Sequence, residues 1–287
     1  MNKSDEILIL GSIGLDTIET QYGKRKNLLG GSATYATIAS GIYSEVVPVG
    51  IVGDDFPKDG YDIFSRFSKN INNIKIEKGT TFRWGGKYHE NGDDRDTLFT
   101  DLGVFENFDP IINEKDVNVS WVFLANIHPV LQMNVLEQCS KNPFIIADTM
   151  NLWINTTPNE LKSLLNRTNI LLINESEIIE LTKSNELKKA AHMVMSMGPE
   201  KIIVKQGSKG ARCFSIDDEL SVGVYPISKV VDPTGAGDVF GGGFVSGLAE
   251  GLSVYDSMRR GTALASFCIE NFGVTNLLNI SIDELDH

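Results

Sequence analysis

The chain has 287 residues and a formal net charge of −12, from 38 acidic and 26 basic side chains. Binding along a nucleic-acid backbone needs clustered Lys and Arg to displace counterions, and no run here supplies them. The hydrophobic share of 41% and charged share of 22% are ordinary globular usage, and no run of about 18 apolar residues marks a membrane span.

The opening MNKSDEILIL lacks the basic start and small-residue cleavage site of a signal peptide. Cys139, Cys213 and Cys268 show no Cys-x-x-Cys spacing and read as buried thiols of a cytoplasmic protein. No two of His89, His128, His192 and His287 stand at metal-ligand spacing.

In chain order, Ile7 to Leu10 reads as a buried strand and Ser32 to Tyr43 as a small-residue helix opened by two glycines. Val46 to Val52 is expected as a strand and Pro57 to Phe67 as a helix started by Pro. Trp121 to Ala125, Phe144 to Ala147, Ile170 to Ile173 and Ile202 to Lys205 are four more short apolar strands. Helices are expected between them at Val130 to Cys139, Leu161 to Leu165 and Leu187 to Met197, and two more close the chain, Ala236 to Glu250 and Val254 to Asn271. Strands spaced by helices predict an α/β, three-layer α-β-α body with a mostly parallel sheet.

Two polar segments break this rhythm, Thr17 to Lys26 and Thr80 to Thr100, the second interspersed with aromatics. They read as half-exposed strands able to pair into a small sheet outside the body. The expected organisation is one unit over 1–287 with a lid from about 16–29 and 80–101, although length alone is compatible with two domains.

The most informative stretch is Val230-Val231-Asp232-Pro233-Thr234-Gly235-Ala236-Gly237-Asp238, read as a strand, a tight turn of small residues and the start of a helix. The first amides of a helix have no intrahelical partner and lie at the positive end of its dipole. Glycines there let an anion approach the amides of Gly235, Ala236 and Gly237. Asp238 beside them has the chemistry to accept a proton from an attacking hydroxyl, although Asp in a first helical turn is also favoured by the dipole alone.

DPTGAGD followed by VFGGGF closely resembles the C-terminal signature of the ribokinase-like, PfkB-type carbohydrate kinases. Gly11-Ser12-Ile13-Gly14-Leu15-Asp16, Gly30-Gly31-Ser32-Ala33 and Gly50-Ile51-Val52-Gly53-Asp54-Asp55 resemble its N-terminal motifs, in the same order along the chain. The resemblance implies a parallel-sheet body with a small β lid and ATP-dependent transfer of the γ-phosphate to a hydroxyl of a small sugar or sugar-derived polyol. An adenosine-like nucleoside kinase is the alternative. Asp238 would be the base, and Gly235, Ala236 and Gly237 the anion hole.

Asn174-Glu175-Ser176-Glu177 resembles the family's N-x-x-E motif, which implies Mg²⁺ organised through water at Glu177. A capping box explains the same letters. Lys205-Gln206-Gly207-Ser208-Lys209-Gly210 resembles its nucleotide loop, which implies nucleotide contacts from Asn174, Lys205, Gly207 and Gly210. Asp232 and Thr234 match positions that hold a monovalent cation such as K⁺ in relatives, with Pro233 departing from the usual residue. Substrate contacts are implied for Asp16, Gly30 and Gly31. Tyr35 stands where an Asn that reaches a sugar hydroxyl is common, and is expected to contact substrate by stacking, with simple packing as the alternative. Arg83, with Phe82, Trp84 and Tyr88, puts an anion partner and aromatic rings on the lid, which leaves a sugar acid or nucleoside open as acceptor. Asp148-Thr149-Met150-Asn151 loosely resembles a D-x-N segment of sugar kinases, and His128 reads as a structural residue. The family also implies lids that can pair between subunits of a homodimer.

Overall fold

A computed structural model of the chain describes residues 6–89 and 95–280. The first half contains β1 (Ile7–Leu10), β2 (Gly14–Thr20), β3 (Gly23–Gly30), α1 (Ser32–Gly41), β4 (Val46–Gly53), α2 (Lys58–Phe67), β5 (Ile74–Glu77), β6 (Phe82–Tyr88) and β7 (Arg95–Asp101). The middle contains β8 (Trp121–Leu124), α3 (Pro129–Gln138), β9 (Phe144–Asp148), α4 (Asn151–Thr156), α5 (Pro158–Leu165), β10 (Ile170–Asn174) and α6 (Glu175–Thr182). α7 (Leu187–Met195), β11 (Lys201–Lys205), β12 (Ala211–Phe214), β13 (Glu219–Val222), α8 (Ala236–Ala249), α9 (Val254–Ile269) and α10 (Thr275–Asn279) follow.

The main sheet has the order β13-β12-β11-β10-β9-β8-β1-β4-β5. Pairing is parallel from β11 to β5 and antiparallel at the β11–β12–β13 edge. Successive side chains of a strand point to opposite faces, and both faces are covered. Leu8, Leu10, Val122 and Leu124 pack with Leu164, Ile178 and Val194 on one side. Ile7, Ile9 and Phe123 pack with Phe240, Phe244 and Met258 on the other. This is the three-layer, ribokinase-like arrangement expected.

The small sheet also forms, in the order β3-β2-β6-β7. Its strands, Gly14–Thr20, Gly23–Gly30, Phe82–Tyr88 and Arg95–Asp101, match the two irregular segments. Residues 90–94 of the second segment lie outside the described residues. β2 pairs β6 in parallel, which joins two segments far apart in sequence.

Three short strands escape the periodicity reading. β5 has two exposed residues out of four, and β12 and β13 form a half-exposed edge hairpin. Conversely, Val230–Val231 is not a strand. The amides of Val231 and Asp232 both donate to the carbonyl of Ile269, at 2.7 and 3.1 Å, so the segment hangs from the end of α9 instead of joining the sheet.

The Gly-Gly-Gly run sets where α8 sits. A Cβ on Gly242 would come within 2.5 Å of the Ala36 carbonyl oxygen, and one on Gly243 within 2.9 Å of the Gly261 Cα. α8 is thereby wedged between α1 and α9, and its N-terminus is held rigidly over the carboxyl ends of the strands, where ligands bind in open α/β sheets.

Candidate active site

Two cavities meet at the N-terminus of α8. The smaller, about 160 Å³, is walled by Asp16, Gly31, Tyr35, Phe82 and Trp84, so it lies between body and small sheet. The larger, about 620 Å³, runs along the strand ends past Asn174, Glu177, Lys205, Gly207 and Gly210. Tyr88, Arg95, Gly235 and Asp238 line both.

Gly235 caps α8 in the left-handed region, at φ 75°, and a Cβ there would fall 2.5 Å from the Tyr35 ring. Both facts demand glycine. Ala236 and Gly237 occupy the first turn and line the larger cavity. Tyr35 therefore supports the turn from below as part of the wall. Its buried hydroxyl has no hydrogen-bond partner among the described residues.

Asp238 is held in the same turn. Burial, then the neighbouring Asp148, push its carboxyl up to about 7 against the pull of Lys205 and Arg95. Asp16 enters from β2 and is buried. Its carboxylate occupies the space a Cβ on Gly30 would need, 2.0 Å from Oδ2, so Gly30 serves the site by making room for Asp16. Burial first, then Asp232 and Asp238, raise Asp16 to about 8.

Gly31, at φ 92°, brings the start of α1 against the Ser12 carbonyl and lines the smaller cavity.

Asn174 and Glu177 form the capping box. The Asn174 amide donates to Glu177 Oε2 at 2.9 Å, and the Glu177 amide donates to Asn174 Oδ1 at 2.8 Å. Both residues also line the larger cavity. Burial raises Glu177 to about 7, with Lys205 opposing and Asp148 adding to the shift. Lys205 donates to Asp148 Oδ2 at 2.6 Å and lies 3.2 Å from where a Gly237 Cβ would be. Asp148 is fixed further by the Thr149 amide at 2.9 Å.

Asp232 is buried and lines neither cavity. Its oxygens accept the amides of Thr234 and Gly273, both at 2.9 Å. Thr234 Oγ1 lies 3.1 Å from the Tyr88 hydroxyl, which ties the small sheet to the turn that opens α8.

Arg83 is not brought to the site. It alternates with Phe82 and Trp84 along β6 and so points to the opposite face, where it donates to Asp55 at 2.6 Å and Asn27 at 2.8 Å. His128 caps α3 by accepting the Val130 amide at 3.2 Å, a structural role. The residue sequence reasoning missed is Arg95. Its guanidinium lies over the Trp84 ring at 5.5 Å. It sits on an exposed strand whose local pattern does not show which side faces the cleft.

The profile of the pfkB family carbohydrate kinases matches residues 5–280. The chain belongs to that family. Cytidine kinase of Thermococcus kodakarensis is 26% identical over 280 residues, covering 93% of this chain and 97% of that protein. Nucleoside kinase of Methanocaldococcus jannaschii superposes with a TM-score of 0.81 at 22% identity, covering 100% of this chain and 98% of that one. Arabidopsis thaliana ribokinase, complexed with ribose and ATP, superposes at 0.77 and 22% identity over 97% of this chain and 100% of that one. As a member of the family the protein is a phosphotransferase with a hydroxyl acceptor. No helix among its described residues is long and apolar enough to cross a membrane.

The kinase keeps three acids at raised values, about 8 for Asp16 and about 7 for Asp238 and Glu177, against ordinary values of 3.8, 3.8 and 4.5. Between those limits the folded chain binds more protons than the unfolded chain, so stability falls as pH rises. The ligand-free protein is expected to melt at lower temperature at pH about 8.5 than at about 5, and Asp16→Asn is expected to flatten that slope. A melting temperature that climbs with pH, or a variant with an unchanged slope, would count against the buried acids.

Proposed function

We propose that this kinase transfers the γ-phosphate of ATP to a hydroxyl of a small, neutral sugar or sugar-derived polyol. The observation that carries the reading is the junction of the two cavities at Gly235 and Asp238. The larger falls within the size range of about 300–1,000 Å³ usual for ligand pockets, and the smaller below it, as suits a nucleotide and a compact acceptor.

Asp16 accepts hydrogen bonds from acceptor hydroxyls and orients one of them toward Asp238. Asp238 removes its proton as the oxygen attacks the γ-phosphorus. The bond from that phosphorus to the ADP oxygen breaks, and charge on the moving phosphoryl group is met by the amides of Gly235, Ala236 and Gly237. Gly207 and Gly210 let backbone approach the nucleotide, and the small sheet serves as the lid that excludes water.

Mg²⁺ fits as a companion of ATP. Glu177, Asn174 and Asp148 present hard oxygen donors along the larger cavity, yet no cluster of three or more His, Cys, Asp or Glu among the described residues forms a cage. Such a site suits an ion that keeps its waters. When bound, Mg²⁺ supplies positive charge at the phosphates. A monovalent cation such as K⁺ would sit at Asp232 and Thr234, supported by the buried carboxylate beside the turn.

The acceptor is read as neutral because one cation, Arg95, lines the smaller cavity beside two acids, Asp16 and Asp238, whose charged forms burial and their acidic neighbours already disfavour, so a further negative charge there is poorly met. The wall of Tyr35, Phe82, Trp84 and Tyr88 favours a second reading, a nucleoside acceptor. The free cysteines support a cytoplasmic location. The exposed Leu98 and Phe99 on edge strand β7 support a homodimer through the lid, which light scattering tests.

An acceptor panel decides among these. Acceptor-dependent ADP release is expected with neutral monosaccharides or polyols and not with sugar phosphates or sugar acids. Release only with nucleosides selects the second reading, and release only with anionic acceptors sinks both. Repeating the panel in choline chloride instead of KCl tests the cation, since equal rates remove it.

A further inference from the structure

The transferred phosphoryl group must cross the boundary between the two cavities, so the residues that line both mark its path. There are four. Gly235 and Asp238 come from the turn that opens α8, and Tyr88 and Arg95 come from the small sheet. Resting on the kinase reading, we propose that Arg95 is a catalytic residue, the cation that the small sheet delivers to the phosphoryl group in flight.

Charge makes such a group necessary. Four acidic side chains, Asp16, Asp148, Glu177 and Asp238, line the two cavities with two cations, Lys205 and Arg95. Burial biases Asp16, Asp238 and Glu177 toward the neutral form, and Asp148 offsets Lys205, so Arg95 is the cation left to meet the polyphosphate. Lys205 is committed to Asp148 at 2.6 Å. Arg95 instead has an exposed position at the cleft and no carboxylate within 4.0 Å among the described residues. A planar guanidinium matches phosphate oxygens in pairs, which a single ammonium does not.

The surroundings aim it. The indole of Trp84 lies under the guanidinium, and Tyr88, which lines both cavities beside Arg95, has its hydroxyl 3.1 Å from Thr234 Oγ1. Thr234 directly precedes the anion-hole turn. Tyr88 thus joins the strand pair that carries Arg95 to the residue just before the turn. Seating of the small sheet and completion of the charge-stabilising set occur together.

The test compares wild type, Arg95→Ala and Arg95→Lys on the acceptor that the wild type uses best. Arg95→Ala is expected to lower kcat about 100-fold or more, as for loss of one transition-state donor, with the KM values for ATP and acceptor little changed. Added guanidinium ion is expected to restore part of that loss, which a packing role does not explain. Arg95→Lys is expected to fall between the two, and it carries the test if the Ala variant does not fold. Unchanged kcat with a raised acceptor KM overturns the proposal and makes Arg95 a specificity residue. Loss without rescue and with weakened ATP binding also overturns it. In both cases wild-type turnover leaves the kinase reading standing, whereas a wild type with no acceptor-dependent ADP release overturns both.

Discussion

Asp238→Asn is expected to retain Mg·ATP binding and to lose about 10²–10⁴-fold in turnover. The substitution keeps shape and hydrogen-bonding reach, so the turn from Gly235 and the packing of α8 against α1 and α9 are undisturbed. On the proposed mechanism, what it removes is the ability to take the hydroxyl proton. It also removes a negative charge that burial and Asp148 already disfavour, so the polyphosphate is repelled less and ATP binding does not weaken. Calorimetry with Mg·ATP and an ADP-release assay separate the two effects. Near-wild-type turnover would mean that the proton leaves by another route.

The second large effect falls on stability. Lys205→Met strands Asp148, whose side chain is only 4% exposed. Breaking a buried ion pair by removing one partner costs about 3–5 kcal/mol. In the intact pair, burial already raises Asp148 while Lys205 lowers it. Without the lysine the carboxyl rises further, so the penalty is full at high pH and shrinks as falling pH protonates it. Urea denaturation is expected to show a larger loss at pH about 8 than at about 5.5. Adding Asp148→Asn is expected to recover much of the stability and little of the turnover. A loss equal at both pH values, or a double variant no more stable than the single one, would place the defect elsewhere.

Much of this was legible in the sequence, for physical reasons. The central strands are apolar runs buried on both faces, and their buried patterns match the runs of Ile7–Leu10 and Ile170–Ile173 closely. The turn that opens α8 announces itself because Gly235, with its positive φ and the Tyr35 ring against it, has no substitute. Asn174, Glu177 and Lys205 were legible because they end strands of a parallel sheet or start the helix that follows. Pairing between distant segments was not. The parallel partnership of β2 with β6 depends on contacts no local pattern encodes. The same gap explains Arg83 and Arg95. Both are arginines of the small sheet, and only strand direction, register and the shift between Gly85 and Gly86 decide that one meets Asp55 and the other the cleft.

On the proposed mechanism, a hydroxyl in the smaller cavity receives a phosphoryl group from the larger one at Asp238. Following ATP by ³¹P NMR with the neutral acceptor panel tests it most directly. The γ-phosphate signal is expected to become a phosphomonoester of a neutral sugar, polyol or nucleoside in wild type, and to persist in Asp238→Asn. Conversion to inorganic phosphate alone, or a phosphomonoester formed equally fast by the variant, would contradict the account.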